Sequence, residues 1–223
     1  MQQAPSRNWA IIGVVGATQG ATPALVTLAQ AVGMEIAMNG DAVLTGGHHR
    51  HSEQSVKFAA LQGAVNVTGG PAPRRVRLIG IVPRSISRAL KPQVTTISVE
   101  TQPSRANPLR YLYVHTQLES PDRDPITGQA VDALVALTGG AGTAREVSTA
   151  LGLGRPVVFL DSWTTLKPLL KRSVVPSQPL KAANALQAVT IIRTELRVGT
   201  ANPSLTGTFP DLKAAYEAGL LTM

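Results

Sequence analysis

The residues best suited to chemistry stand at 138–146, where Thr138-Gly139-Gly140-Ala141-Gly142-Thr143 runs into Ala144-Arg145-Glu146. Glycine tolerates positive φ and lets backbone N–H groups come close to a ligand. A helix opening near Thr143 would add free N–H groups and a positive dipole end that attract an anion. The chemistry this allows is phosphate binding. Glu146 adds a carboxylate that either touches the ligand or closes a capping box with Thr143, each satisfying the other's backbone N–H. A helix start is worth roughly 0.3–1 kcal/mol to an anion and ~2 kcal/mol when partly buried. Micromolar binding needs about 8 kcal/mol, so the turn requires arginines and further donors beside it.

Two other apolar runs end in small residues, Gly13-Val14-Val15-Gly16-Ala17-Thr18 and Leu44-Thr45-Gly46-Gly47. In a parallel sheet all strand C-termini share one edge, and ligands bind in the crevice there. Gly16, Ala17, Thr18, Gly46 and Gly47 therefore join the 138–143 turn as candidate contacts, although Gly13 and Gly16 suit a plain tight turn equally well. Arg123 is either a ligand contact or an exposed ion-pair partner of Asp122 or Asp124. His48-His49-Arg50-His51 offers imidazoles, of which His48 is a candidate contact to an anion. Neighbouring histidines on a loop rarely converge on a metal, and no cysteine is present to complete a set, so no metal site is expected. His115 reads as structural.

These residues need a scaffold that brings strand ends together. Trp9–Val15 is an apolar, β-branched run ending on Gly16. Thr22-Pro23 gives an N-cap and first-turn proline for a helix through about Met38, closed by Asn39-Gly40. Ala42–Leu44 predicts a second strand, Ser55–Leu61 a helix ending near Gly63, and Val76–Val82 a third strand. From about 83 to 124 the pattern weakens, with strand-like runs at Val94–Val99 and Tyr111–His115, and reads as a basic insertion or an elaborated sheet edge. Asp132–Leu137 and Val157–Leu160 are strands flanking the helix after the glycine turn, and Leu180–Leu196 is an amphipathic helix. Strands alternating with helices predict a doubly wound, mostly parallel, Rossmann-like α/β sheet. One domain is expected over 1–200, followed by a tail at 201–223 with a short helical segment, Pro210–Leu221.

Composition narrows the partners. Lys and Arg number 21 against 13 acidic residues, a formal net charge of +8, which concentrates anions near the surface. The arginines between Arg74 and Arg110 admit nucleic acid, but aromatic residues are only 4% of the chain and Tyr111 and Tyr113 are the nearby stacking candidates. The absence of cysteine excludes disulfides and thiolate catalysis. No apolar stretch approaches the ~18 residues of a membrane span, and MQQAPSRNWA has no signal-peptide pattern. A cytoplasmic protein without a membrane partner is expected.

The run Thr138–Glu146 resembles the PGGxGTxxE motif of the LOG ("lonely guy", lysine decarboxylase-like) family, with Thr138 in the place of its proline. Arg123 is similar to that family's arginine ahead of the motif strand. The order Ile12-Gly13-Val14, Leu44–Gly47, Ala60–Ala64 and Ile79–Pro83 follows the same frame, so the resemblance covers about residues 9–160. It implies cleavage of the N-glycosidic bond of nucleoside 5′-monophosphates, with Glu146 engaging the ribose, Arg123 assisting and the glycine turn taking the phosphate. The family's enzymes carry Arg-Lys where this chain has Arg123-Asp124. That pair, the non-proline start, Glu146-Val147 and Gly154-Arg155-Pro156 resemble a sister branch more closely, the molybdenum cofactor carrier proteins. This branch implies binding of the phosphorylated pterin cofactor without cleavage, transfer to molybdoenzymes, and assembly as a homo-oligomer, dimer or tetramer. No nicotinamide cofactor is expected. In the carrier reading no residue is catalytic; in the hydrolase reading Arg123 and Glu146 are.

Overall fold

The computed structural model describes residues 9–46, 55–69, 77–82, 98–100, 103–104, 107–108, 110–116 and 118–198. Its elements run β1 (Ile11–Val15), α1 (Pro23–Met38), β2 (Ala42–Thr45), α2 (Val56–Val65), β3 (Arg77–Val82) and β4 (Ser98–Glu100). They continue through β5 (Pro103–Ser104), β6 (Asn107–Pro108), β7 (Arg110–His115), α3 (Ser120–Gln129), β8 (Ala133–Ala136) and α4 (Ala141–Gly152). The described chain ends with β9 (Val157–Leu160), the short α5 (Trp163–Leu166), β10 (Leu180–Ala182) and α6 (Ala185–Val198). The main sheet has eight strands in the order β10-β9-β8-β1-β2-β3-β7-β4. Every pairing is parallel except that of β4 with β7. This is the doubly wound α/β architecture that the alternation predicts.

Burial on both faces explains why the strands read as unbroken apolar runs. Successive side chains of β1 go to opposite faces, so Ile12 and Val14 join one core with Val32, Ile36, Ala60 and Val189. Ile11 and Val15 join the other, with Leu134, Val147 and Phe159. The first helix begins as predicted: the Thr22 hydroxyl accepts from the Leu25 N–H at 3.2 Å, ahead of Pro23. Asn39 caps its C-terminus, and Gly40 follows with φ +76°.

Four elements differ from the sequence reading. The helix expected over Leu180–Leu196 is divided, because Leu180–Ala182 pairs with Val158–Leu160. The Asn184 side chain accepts from the Gln187 N–H at 2.9 Å and starts α6 after that strand. The glycine-turn helix opens at Ala141 rather than Thr143, with Gly140 as N-cap. Helix α2 runs through Gly63 to Val65. In the weak stretch before 124, Tyr111–His115 lies inside β7, hydrogen-bonded to β3, and α3 follows unannounced by any apolar period. The segments 83–97 and 201–223 lie outside the described residues.

Candidate functional site

The chain leaves β1 for β2 on one side, while β8 returns to pair on the other. That is the topological switch point at which open α/β sheets form their crevice. The two turns there are bonded together: the Ala17 N–H donates to the Thr138 carbonyl at 2.9 Å, and the Val56 N–H to the Ala17 carbonyl at 2.9 Å. Gly139 is required by this closeness, since a Cβ there would overlap the Thr143 hydroxyl and sit 3.0 Å from the Gly16 carbonyl carbon. Around Gly140, by contrast, an added Cβ would meet nothing within 4 Å among the described residues. No side chain caps α4, so the N–H groups of Ala141, Gly142 and Thr143 lack intrahelical acceptors. An open glycine turn ending on unsatisfied N–H groups can hold an anion.

Beside it lies a buried charged cluster. Glu146 is fully buried, and its Oε1 receives Arg123 Nη1 at 3.2 Å and Lys57 Nζ at 3.4 Å. Arg123 and Lys57 are themselves only 5% and 4% exposed. The Arg123 Nη1 also donates to the Thr127 hydroxyl at 3.3 Å, while its Nη2 lies 3.4 Å from Asp124 Oδ1. Asp124 in turn accepts from Arg145 Nη2 at 2.7 Å and Nε at 3.1 Å. Helix α3 delivers Arg123 because it packs tightly on α4 at Gly128, where a Cβ would overlap the Glu146 carbonyl oxygen. Three buried atoms of this neighbourhood, Glu146 Oε2, Arg123 Nε and Thr45 Oγ1, have no hydrogen-bond partner among the described residues. Buried polar atoms are seldom left so, and a polar ligand would satisfy them.

Gly46 is the floor of this cluster. A Cβ there would stand 2.5 Å from Lys57 Nζ and 3.1 Å from Glu146 Oε1, and would overlap Arg123 Nη1. Gly46→Ala is therefore expected to displace the ends of these side chains while keeping the fold. Overpacking of this kind costs ~1–3 kcal/mol, or a fall in melting temperature of ~2–12 °C for a domain of this size, to be read by calorimetry. An unchanged melting temperature would show that the cluster has room to spare.

The structure thus brings Gly16, Ala17 and Thr138–Thr143 to one turn pair, and Gly46, Arg123 and Glu146 to the adjoining cluster. Thr18 is exposed just beyond Ala17; Gly47 and His48 lie outside the described residues. Two expectations are corrected. No capping box forms, because Gly140 is the N-cap and Glu146 lies well inside α4, paired with cations. Arg123 is not an exposed partner of Asp122 but a buried partner of Glu146 and Asp124. Gly16 is needed for packing, since a Cβ would press on Val56 at 2.7 Å. Lys57 was missed as a site residue. Its signal was a lone charge in the apolar run Val56–Val65, in the first turn, where a cation opposes the helix dipole. Among the described residues no group of three or more His, Cys, Asp or Glu could hold a metal, and no helix is long and apolar enough to cross a membrane.

The chain is similar over its length to solved structures. The molybdenum cofactor binding protein from the phototrophic bacterium Rippkaea orientalis is 26% identical, covering 86% of this chain and 99% of that one, with a TM-score of 0.61. The molybdenum cofactor carrier protein from Chlamydomonas reinhardtii is 28% identical over 85% of this chain and 99% of that one, at a TM-score of 0.59. DNA processing protein A from Helicobacter pylori, 16% identical over 84% of this chain and 80% of that one, has a TM-score of 0.52 and shares the fold alone. A comparison with curated proteins finds no match. The sequence profile of the SLOG cluster4 family matches residues 9–190, and the chain belongs to that family.

Proposed function

We propose that this protein binds the molybdenum cofactor as cargo and hands it on intact to molybdoenzymes. The observation that carries the reading is the pairing of an open anion turn with a buried cluster whose polar atoms lack partners. The cofactor's phosphate suits the N–H groups of Ala141–Thr143. Its pterin and pyran rings carry N–H groups, carbonyls and ring nitrogens that would satisfy Glu146 Oε2, Arg123 Nε and Thr45 Oγ1. Buried ion pairs rarely repay their desolvation in stability, so a cluster of Lys57, Arg123 and Glu146 makes more sense as ligand machinery than as a structural brace. The likeness to the two molybdenum cofactor proteins supports this choice of cargo. A cytoplasmic location, a homo-oligomeric assembly and a contact from His48 belong to the same reading.

Three roles follow for the chain's own residues. The glycine turn orients the phosphate, Lys57 and Arg123 neutralise anionic oxygen, and Glu146 accepts from a ligand donor. The test is to load the protein with molybdenum cofactor under anaerobic conditions and then add an apo-molybdoenzyme. Slowed cofactor decay and restored enzyme activity are expected; the absence of both effects would overturn the reading. A parallel incubation with AMP, assayed for free adenine by chromatography, is expected to release no base. Turnover abolished by Glu146→Gln would instead establish the phosphoribohydrolase chemistry that the motif resemblance implies.

A further inference from the structure

We infer that Asp161 reads the pterin edge of the cargo, an assignment that rests on the reading above. Asp161 follows the C-terminal end of β9, on the same sheet edge as the glycine turn. It is the one non-glycine residue with positive φ among those described, at +51°. The left-handed region is costly for most side chains; aspartate enters it more readily than most, and glycine would occupy it freely. A carboxylate kept there points to a task for the side chain.

The position is held from both sides. The Thr138 hydroxyl donates to the Asp161 carbonyl at 3.2 Å, tying the residue to the first member of the anion turn. The Ser162 hydroxyl donates to the Ala136 carbonyl at 2.6 Å, fixing the next residue to the end of β8. The Asp161 side chain is exposed and makes no hydrogen bond or ion pair among the described residues. An unpartnered carboxylate thus stands on backbone held beside the anion turn, with β8 between its strand and β1. The 2-amino-4-oxo pyrimidine edge of a pterin presents an amino N–H and a ring N–H side by side, which match the two oxygens of a carboxylate. With the phosphate on α4, that edge is the remaining donor-rich end of the cargo. Thr138 gains a role too, since its hydroxyl positions the reader and a proline there could not.

Two variants test this. Asp161→Asn keeps the shape and tolerates the left-handed backbone, while Asp161→Gly relaxes the backbone and removes the side chain. Both are titrated anaerobically with molybdenum cofactor, following tryptophan fluorescence, and separately with inorganic phosphate by thermal shift. Each variant should bind the cofactor ~10- to 100-fold more weakly, as expected for loss of hydrogen bonds to a charged group, with the phosphate response unchanged. Asp161→Gly should melt no lower than the wild type. Cofactor affinity retained in either variant would overturn the assignment while leaving the carrier reading intact. A wild-type protein that binds phosphate but no cofactor would overturn both.

Discussion

Replacing Glu146 with alanine is expected to lower stability by ~3–5 kcal/mol, the usual result of leaving buried charges without their partner. The site makes the upper part of that range reasonable. One carboxylate oxygen serves both Arg123 and Lys57, and both cations are nearly buried, so a single truncation takes the carboxylate from Lys57 and leaves Arg123 with Asp124 alone. The void left by the side chain adds to the loss. At this domain size the melting temperature should fall by ~6–20 °C. Glu146→Gln separates charge from volume: it keeps the packing and one acceptor oxygen, so its melting temperature should fall less. With the negative charge gone, Lys57 and Arg123 are free to attract anions, and phosphate should raise the melting temperature of Glu146→Gln more than that of the wild type. Calorimetry with and without phosphate reads both effects. If Glu146→Ala melts with the wild type, the cluster is solvated and its reading as ligand machinery fails.

That cluster was partly legible beforehand, and the division is instructive. Gly16, Gly46, Arg123, Glu146 and the 138–143 turn were visible because strand ends and glycine runs are local patterns. Lys57 was hidden because its partner is 89 positions away, and no period or motif couples a helix start in α2 to the body of α4. The same reason defeated the capping box: Thr143 and Glu146 have the right spacing, but Gly140 had already begun the helix. Helix α3 was invisible because Ser120–Gln129 carries two prolines, a glycine and little apolar surface. It exists through contact with α4, which a single sequence does not reveal. The strand at Leu180–Ala182 was absorbed into the following helix because three apolar-polar-apolar residues satisfy either period; only pairing with β9 decides.

Gly63 has the look of a stop signal in the sequence, yet α2 passes through it, and its purpose sets the largest effect expected away from the site. At the crossing of α1 and α2 a Cβ on Gly63 would overlap the Gln30 carbonyl oxygen and stand 2.6 Å from that carbonyl's carbon. Gly33 on α1 mirrors it, with a Cβ overlapping the Ala60 carbonyl oxygen and 2.6 Å from its carbon. Both obstacles are backbone, so one methyl must drive the helices apart. Alanine would gain up to ~1 kcal/mol in helix propensity over glycine, but overpacking against backbone costs ~1–3 kcal/mol and sometimes more. Gly33→Ala should therefore destabilise, and the Gly33→Ala, Gly63→Ala pair should cost less than the sum of its members, because the first methyl already opens the crossing. Gly152, at the end of α4, supplies the opposite sign: its Cβ would meet only Val174 Cγ1, at an ordinary 3.6 Å. Gly152→Ala should be neutral or gain ~0.4–1 kcal/mol. Urea unfolding of Gly33→Ala, Gly63→Ala, their double variant and Gly152→Ala measures this contrast. The site should feel the first change as well, since α2 carries Val56 against Gly16 and Lys57 against Glu146. Loss of phosphate-induced stabilisation in Gly33→Ala, with none in Gly152→Ala, would tie the helix crossing to the anion site. A Gly33→Ala protein as stable as the wild type would mean the helices separate at no cost.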